Sequence, residues 1–197
     1  MADRVLWQVA SWCLQYPDAA LRERLPLLRE AVAELGENPV AVAFGQFLDH
    51  ARDRDLAAHY VDVFDSRPRR CLYLTWYTDG DTRRRGEALL RFKQTYRAHG
   101  VEPAGDELPD FLPTLLEFAA TCPDTALPDA ELLLAWSRPG VELLARNLAR
   151  LDTPYAGLLA ALLVTFPPAL APAAPQPGLE LVGLDPYPRA VPTGGRR

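Results

Sequence analysis

The sequence predicts an all-α protein, a single-domain bundle of roughly eight to ten helices ending in a disordered, proline-rich tail. Three observations carry that expectation. Apolar residues recur at helical spacing along most of residues 3–166. Prolines stand where helices start and glycines where they stop. Only one short run alternates with a strand's period, and a solitary strand would leave its backbone groups unpaired.

Asp3 to Tyr16 reads as the first helix, with Leu6, Val9, Ala10, Cys13 and Leu14 on one stripe. Pro17 ends it, and Asp18 is placed to cap a short turn. Pro26 suits the first residue of a second helix ending at Gly36, burying Leu27, Leu28, Ala31, Val32 and Leu35. Pro39 opens a third, through Phe44, Phe47 and Leu48 to about Arg52, and a fourth runs from Asp55 to Phe64.

Cys71 to Tyr77 is the alternating run, with Leu72, Leu74 and Trp76 in step. Lacking a partner strand in the chain, it is read as a short helix or an irregular packed segment. Asp81 or Thr82 then caps a helix to about His99, stopped by Gly100, with Arg85, Leu89, Phe92, Tyr96 and His99 along one side. Leu108 to Thr121 is the next helix. Pro128 to Ser137 and Pro139 to Leu151 give two more, and Thr153 caps a last one from Pro154 to Phe166.

Beyond Phe166 the helical period stops. Residues 167–197 hold eight of the nineteen prolines, so the expected organisation is a helical domain over 1–166 and a disordered tail over 167–197. No apolar run is long enough to cross a bilayer, and the first residues mix acid and base without the layout of a signal peptide. Cys13, Cys71 and Cys122 are odd in number and far apart, which suits reduced thiols in a cytoplasmic protein.

Charge is unevenly spread. The net charge is −5, yet Thr82 to Arg97 alone carries six bases against Glu87. A mildly acidic chain with one basic helix lacks the extended basic face that phosphate affinity needs, so no nucleic acid is expected as a partner. The basic block is locally awkward too. Arg83, Arg84 and Arg85 occupy a first helical turn, where the dipole disfavours each positive charge by roughly 0.3–1 kcal/mol. Immediately upstream lie Tyr60, Phe64, Tyr73, Trp76 and Tyr77, and aromatics with arginine carry much of the binding energy at interfaces. Internal neutralisation by Asp65, Asp79 and Asp81 is the plainer explanation for the arginines.

Enzyme signatures are missing. No serine lies in a G-x-S-x-G elbow, no glycine-rich phosphate loop occurs, and neither C-x-x-C nor a metal-spaced histidine set is present. Asp79-Gly80-Asp81 lacks the remaining ligands of a calcium loop and reads as a turn. The acidic cluster Asp106-Glu107-Leu108-Pro109-Asp110 could do acid/base work, but its spacing favours helix capping.

The run from Tyr60 to Gly100, with Asp106 to Ala119 after it, resembles the respiratory nitrate reductase delta subunit family, over about residues 3–166. That family belongs to a wider set of chaperones for molybdoenzymes of the DMSO reductase type. The wider set's acidic motif reads Glu-x-Pro-x-Asp-His. Glu107, Pro109 and Asp110 keep its Glu, Pro and Asp with altered spacing, and no histidine follows, a departure that suits the nitrate reductase branch.

The resemblance implies an all-helical cytoplasmic chaperone that is not an enzyme and has no stable membrane association. Its partner would be the N-terminal segment of the apo nitrate reductase catalytic (alpha) subunit. No cofactor belongs to the chaperone itself, and the client receives molybdopterin guanine dinucleotide. The expected client-binding residues are Tyr60, Phe64, Asp65, Tyr73, Trp76, Tyr77, Asp79, Arg83, Arg84, Arg85, Glu107, Pro109 and Asp110. An aromatic groove beside a basic patch also suits an amphipathic peptide helix on physical grounds. The alternative is a small helical nucleic-acid-binding regulator, with Arg69, Arg70 and Arg83 to Arg85 on phosphates and Tyr73, Trp76 and Tyr77 stacking on bases.

Overall fold

A computed structural model describes residues 2–53, 56–102 and 107–170. The described residues form nine α-helices: α1 Ala2–Cys13, α2 Ala19–Ala33, α3 Pro39–Asp53, α4 Leu56–Tyr60, α5 Thr75–Asp79, α6 Arg83–Ala98, α7 Leu112–Thr121, α8 Leu127–Leu148 and α9 Pro154–Val164. No extended strand occurs among them, so the all-α expectation is met. The predicted tail lies mostly beyond Leu170, outside the described residues.

α1 is the spine. Its stripe of Leu6, Trp7, Val9, Ala10 and Cys13 is buried against α7 above all, with α2, α3 and α9 also in contact. Arg4 bonds to the C-terminal end of α7, its Nε donating to the Ala120 carbonyl at 3.0 Å and its NH2 to that of Cys122. Those carbonyls have no partner within their own helix, so a cation there satisfies and electrostatically complements them. At the far end of α1's partners, Trp7 Nε1 donates to the Thr165 hydroxyl at 2.9 Å and ties α1 to the end of α9.

The boundaries depart from the sequence reading where a tertiary partner overrides a local signal. α2 starts seven residues before Pro26, because Asp18 accepts from the Leu21 amide at 3.0 Å and caps a helix, not a short turn. Pro26 is therefore inside the helix, and Leu27, expected in the core, is 65% exposed. Similarly, Pro139 does not divide the chain in two: α8 runs straight through it. Its ring removes one backbone donor, but Leu133, Leu134, Val141 and Leu144 on both sides are buried and hold the two halves in line. Gly140, next to it, sits so close to the 72–74 segment that a Cβ there would lie 2.9 Å from the Leu74 carbonyl oxygen.

α4 ends in a single π turn, Val61–Asp65, closed by the Ser66 amide on the Val61 carbonyl at 3.0 Å. The wider turn leaves Phe64 buried and Asp65 exposed at the helix end. The alternating run resolves into two parts. Thr75–Asp79 is helical, as expected, while Tyr73 forms an isolated antiparallel bridge with Phe111. The Leu74 amide donates to the Asp110 carbonyl at 3.2 Å and the Leu112 amide to the Leu72 carbonyl at 2.9 Å. The missing partner for the strand-like run is thus the stretch predicted to begin a helix at Leu108, which is why α7 starts only at Leu112.

Candidate functional site

The crossing of residues 71–75 with residues 107–111 builds the site. A buried carboxylate that lines neither cavity ties the crossing together. Asp110 is fully buried, and its Oδ2 accepts from the Thr75 amide at 2.9 Å and from the Thr75 hydroxyl at 2.6 Å. It does not cap α7, as spacing suggested; its partners are on the neighbouring segment. Arg85, from the first turn of α6, donates its Nε to the same Thr75 hydroxyl at 3.2 Å. The arginine block and the acidic motif therefore meet through Thr75, with no direct ion pair among the described residues. Asp110 Oδ1 has no hydrogen-bond partner among the described residues.

Beside this crossing lies a cleft of about 560 Å³. Tyr16, Tyr60, Phe64, Tyr73 and Phe111 supply its aromatic surface, joined by Leu72 and Pro113. Its charged lining is Asp18, Asp65, Glu107 and Glu117, with no lysine or arginine among the described lining residues. Tyr73 is half-buried and donates its hydroxyl to Glu107 Oε2 at 2.5 Å. Burial, then the hydrogen bond and charge of Glu107, push its phenol well above the ordinary range. The Tyr73 and Phe111 rings pack at 5.4 Å between centroids. On the opposite wall the exposed Tyr16 meets Tyr60 edge-on at 5.7 Å, and Tyr60 is held by its hydroxyl on the Leu14 carbonyl at 3.2 Å.

The expected site residues separate into groups. Tyr60, Phe64, Asp65, Tyr73 and Glu107 line the cleft. Tyr77 is buried behind it, its hydroxyl donating to the carbonyls of Cys71 at 2.8 Å and Arg69 at 3.0 Å, so it has no face free for a base or a peptide. Trp76 and Arg85 line a smaller hollow of about 190 Å³ with Pro68, Cys71 and Tyr73. Asp79 is half-buried and lies 3.8 Å from the largely exposed Arg84, while Arg83 is exposed; none of these three lines either cavity. Pro109 is half-buried, and its carbonyl accepts from the Tyr96 hydroxyl at 2.9 Å.

Sequence reasoning missed Tyr16, Asp18, Phe111, Glu117 and Thr75. No helical signal marked Tyr16: it keeps the spacing of Val9 and Cys13, but α1 stops at Cys13, ahead of Pro17, and leaves the ring exposed. Among the described residues no group of three or more His, Cys, Asp or Glu could hold a metal ion, and no helix is long and apolar enough to cross a membrane. Burial pushes the half-buried Cys71 thiol up, which disfavours the reactive thiolate.

Comparison with known proteins points in one direction. A family model described as nitrate reductase delta subunit matches residues 15–161. The nitrate reductase-like protein NarX of Mycobacterium tuberculosis H37Rv is 41% identical over 160 residues, covering 80% of this chain and 24% of NarX. The chain thus spans about a quarter of that relative. A Bacillus subtilis protein described as a probable nitrate reductase molybdenum cofactor assembly chaperone, NarJ, is 33% identical over 83% of this chain and 89% of its own length. The Escherichia coli K12 nitrate reductase molybdenum cofactor assembly chaperone NarJ is 32% identical over 79% and 66%. In fold, the chain matches the crystal structure of a candidate redox enzyme maturation protein from Archaeoglobus fulgidus, with a TM-score of 0.59 at 21% identity, covering 82% of this chain and 91% of that one.

Proposed function

The chain belongs to the nitrate reductase delta subunit family, and from that premise we propose that it is a chaperone for the assembly of a nitrate reductase and its molybdenum cofactor. It has no catalysis of its own in this reading, in keeping with relatives named as assembly chaperones. It acts in the cytoplasm, on the catalytic subunit before that subunit is complete. The cleft holds the client's N-terminal segment and keeps the apo subunit competent for cofactor insertion.

The observation that carries the binding half of this reading is the cleft's lining. Five aromatic rings and four carboxylates without a compensating base form a surface for a short segment that is apolar on one side and cationic on the other. Its volume, about 560 Å³, falls within the range of ligand pockets, roughly 300–1,000 Å³, enough for a few anchoring side chains of a docked helix. The hydrogen-bonded crossing supports it: Thr75 and Asp110 fix the two segments that present Tyr73 and Glu107.

The test is co-purification. The tagged full chain is expressed with the nitrate reductase catalytic subunit, either complete or lacking its N-terminal segment. Retention of the complete subunit and loss of the shortened one are expected. Equal retention of both would place the contact elsewhere, and retention of neither would remove the nitrate reductase client altogether.

A further inference from the structure

We propose that Arg85 forms a carboxylate-binding subsite beside the cleft, taking an acidic side chain of the bound client segment and setting its register. This rests on the reading of the cleft as the client site.

Three observations converge on Arg85. Of the three arginines of the block, it alone lines either of the two described cavities, the 190 Å³ hollow it shares with Pro68, Cys71, Tyr73 and Trp76. Its guanidinium is positioned from two directions: Nε donates to the Thr75 hydroxyl at 3.2 Å, and the carbon of the guanidinium stands 5.7 Å from the centroid of the Trp76 ring. Among the described residues no carboxylate is paired with it, whereas its neighbour Arg84 has Asp79 at 3.8 Å. A guanidinium whose Nε is already engaged still presents its two terminal nitrogens, the pair that grips a carboxylate end-on.

The position explains the use. Cys71 and Tyr73 line both the hollow and the acidic cleft, so the two cavities adjoin. A segment lying over the carboxylates of Asp65 and Glu107 with its basic side chains would cross Tyr73 and reach Arg85 with a neighbouring residue. A basic residue there would be repelled, and an acidic one attracted. A one-turn slip of the segment would bring like charges together at both ends, so the pair of cavities reads a charge order as well as an apolar pattern.

The experiment is calorimetric titration of the full chain with two synthetic peptides. One is the N-terminal segment of the nitrate reductase catalytic subunit; the other is the same peptide with every Asp and Glu changed to Asn or Gln. At low salt the second peptide should bind about fivefold more weakly to the wild-type chain, as one partly exposed ion pair allows. Arg85→Gln should lose the preference for the native peptide, and Arg84→Gln should discriminate between them as the wild type does. Equal affinity of the wild type for both peptides overturns the subsite while leaving the cleft in place, and this arm needs no protein variant to fold. Failure of the native peptide to bind the wild type overturns the client reading and the subsite together.

Discussion

Asp110 holds the amide and the hydroxyl of Thr75 with a single carboxylate oxygen, at 2.9 and 2.6 Å, in a place closed to solvent. Two segments 35 residues apart in sequence are joined there. Asp110→Ala leaves both Thr75 donors buried without an acceptor, and the expected loss of stability is about 2–3 kcal/mol. Asp110→Asn keeps an acceptor facing Thr75 and should lose much less. Urea denaturation of the two variants checks this order. A wild-type midpoint for Asp110→Ala would mean that the carboxylate does not hold the crossing together.

Alkaline pH should unfold the protein cooperatively. Burial foremost raises the phenols of Tyr60, Tyr77, Tyr96 and Tyr155 far above their ordinary value of 10.0. The folded chain then keeps protons that the unfolded chain releases. Stability is therefore intact below pH 10 and falls as pH rises above it, by roughly 1.4 kcal/mol per pH unit for each such tyrosine. Tyrosinate absorbance and loss of helical circular dichroism should rise together in one transition. A gradual absorbance rise with the helices intact would contradict the burial of these hydroxyls.

The aromatic cluster should divide by role under mutation. Tyr77→Phe removes the donor to the carbonyls of Arg69 and Cys71 and is expected to lower stability by about 1–2 kcal/mol, with client-peptide affinity unchanged. Tyr16→Ala removes a half-exposed ring from the cleft wall and should do the reverse, weakening the peptide and sparing the melting temperature. Matched stability and affinity losses in both variants would show that the cleft and the core are not separable in this way.

Much of this was legible in the sequence because helical spacing is local information. Val9, Ala10 and Cys13 are buried where their period puts them, and Thr153 caps α9. What the sequence hid was contact between distant segments. The partner of Leu72 and Leu74 is a stretch almost forty residues later, and nothing in either run names the other. Proline misled twice, at Pro26 and Pro139, since a missing donor ends a helix only where packing does not hold its two halves in line. In the site, the arginines and the acidic motif were both visible, but the residue that joins them, Thr75, has no local signature at all.

A chain ending at Leu170 should keep the full helical signal and melting temperature, since residues after it hold prolines without a helical period. The cut belongs after Leu170, not at Phe166. Arg138 donates NH1 to the carbonyls of Phe166 at 2.8 Å and Pro167 at 3.1 Å, and so ties this stretch to α8. Ending at Phe166 removes Pro167 from that arrangement and should lower the melting temperature slightly. A large drop on ending at Leu170 would show that the remaining residues dock on the domain.

Salt dependence separates the cleft from the arginine block as the seat of binding. The carboxylates of Glu107 and Glu117 line the cleft and are exposed, so their attraction for a basic peptide is real at low salt and screened at high salt. Wild-type affinity for the client peptide should therefore fall as salt rises, but shallowly, since only a few charges are involved and apolar burial is unaffected. Glu107→Gln combined with Glu117→Gln should weaken binding at low salt, by roughly 0.2–1 kcal/mol for each charge, and flatten the slope. Glutamine at 107 keeps an acceptor for the Tyr73 hydroxyl, so the wall of the cleft is preserved. Arg83→Gln and Arg84→Gln should change neither the affinity nor the slope, because these side chains line neither cavity. An unchanged slope in the glutamate variant would place binding outside the cleft. Loss of peptide in the arginine variants would move it to the start of α6, and a steep salt slope with a nucleic acid probe would revive the regulator.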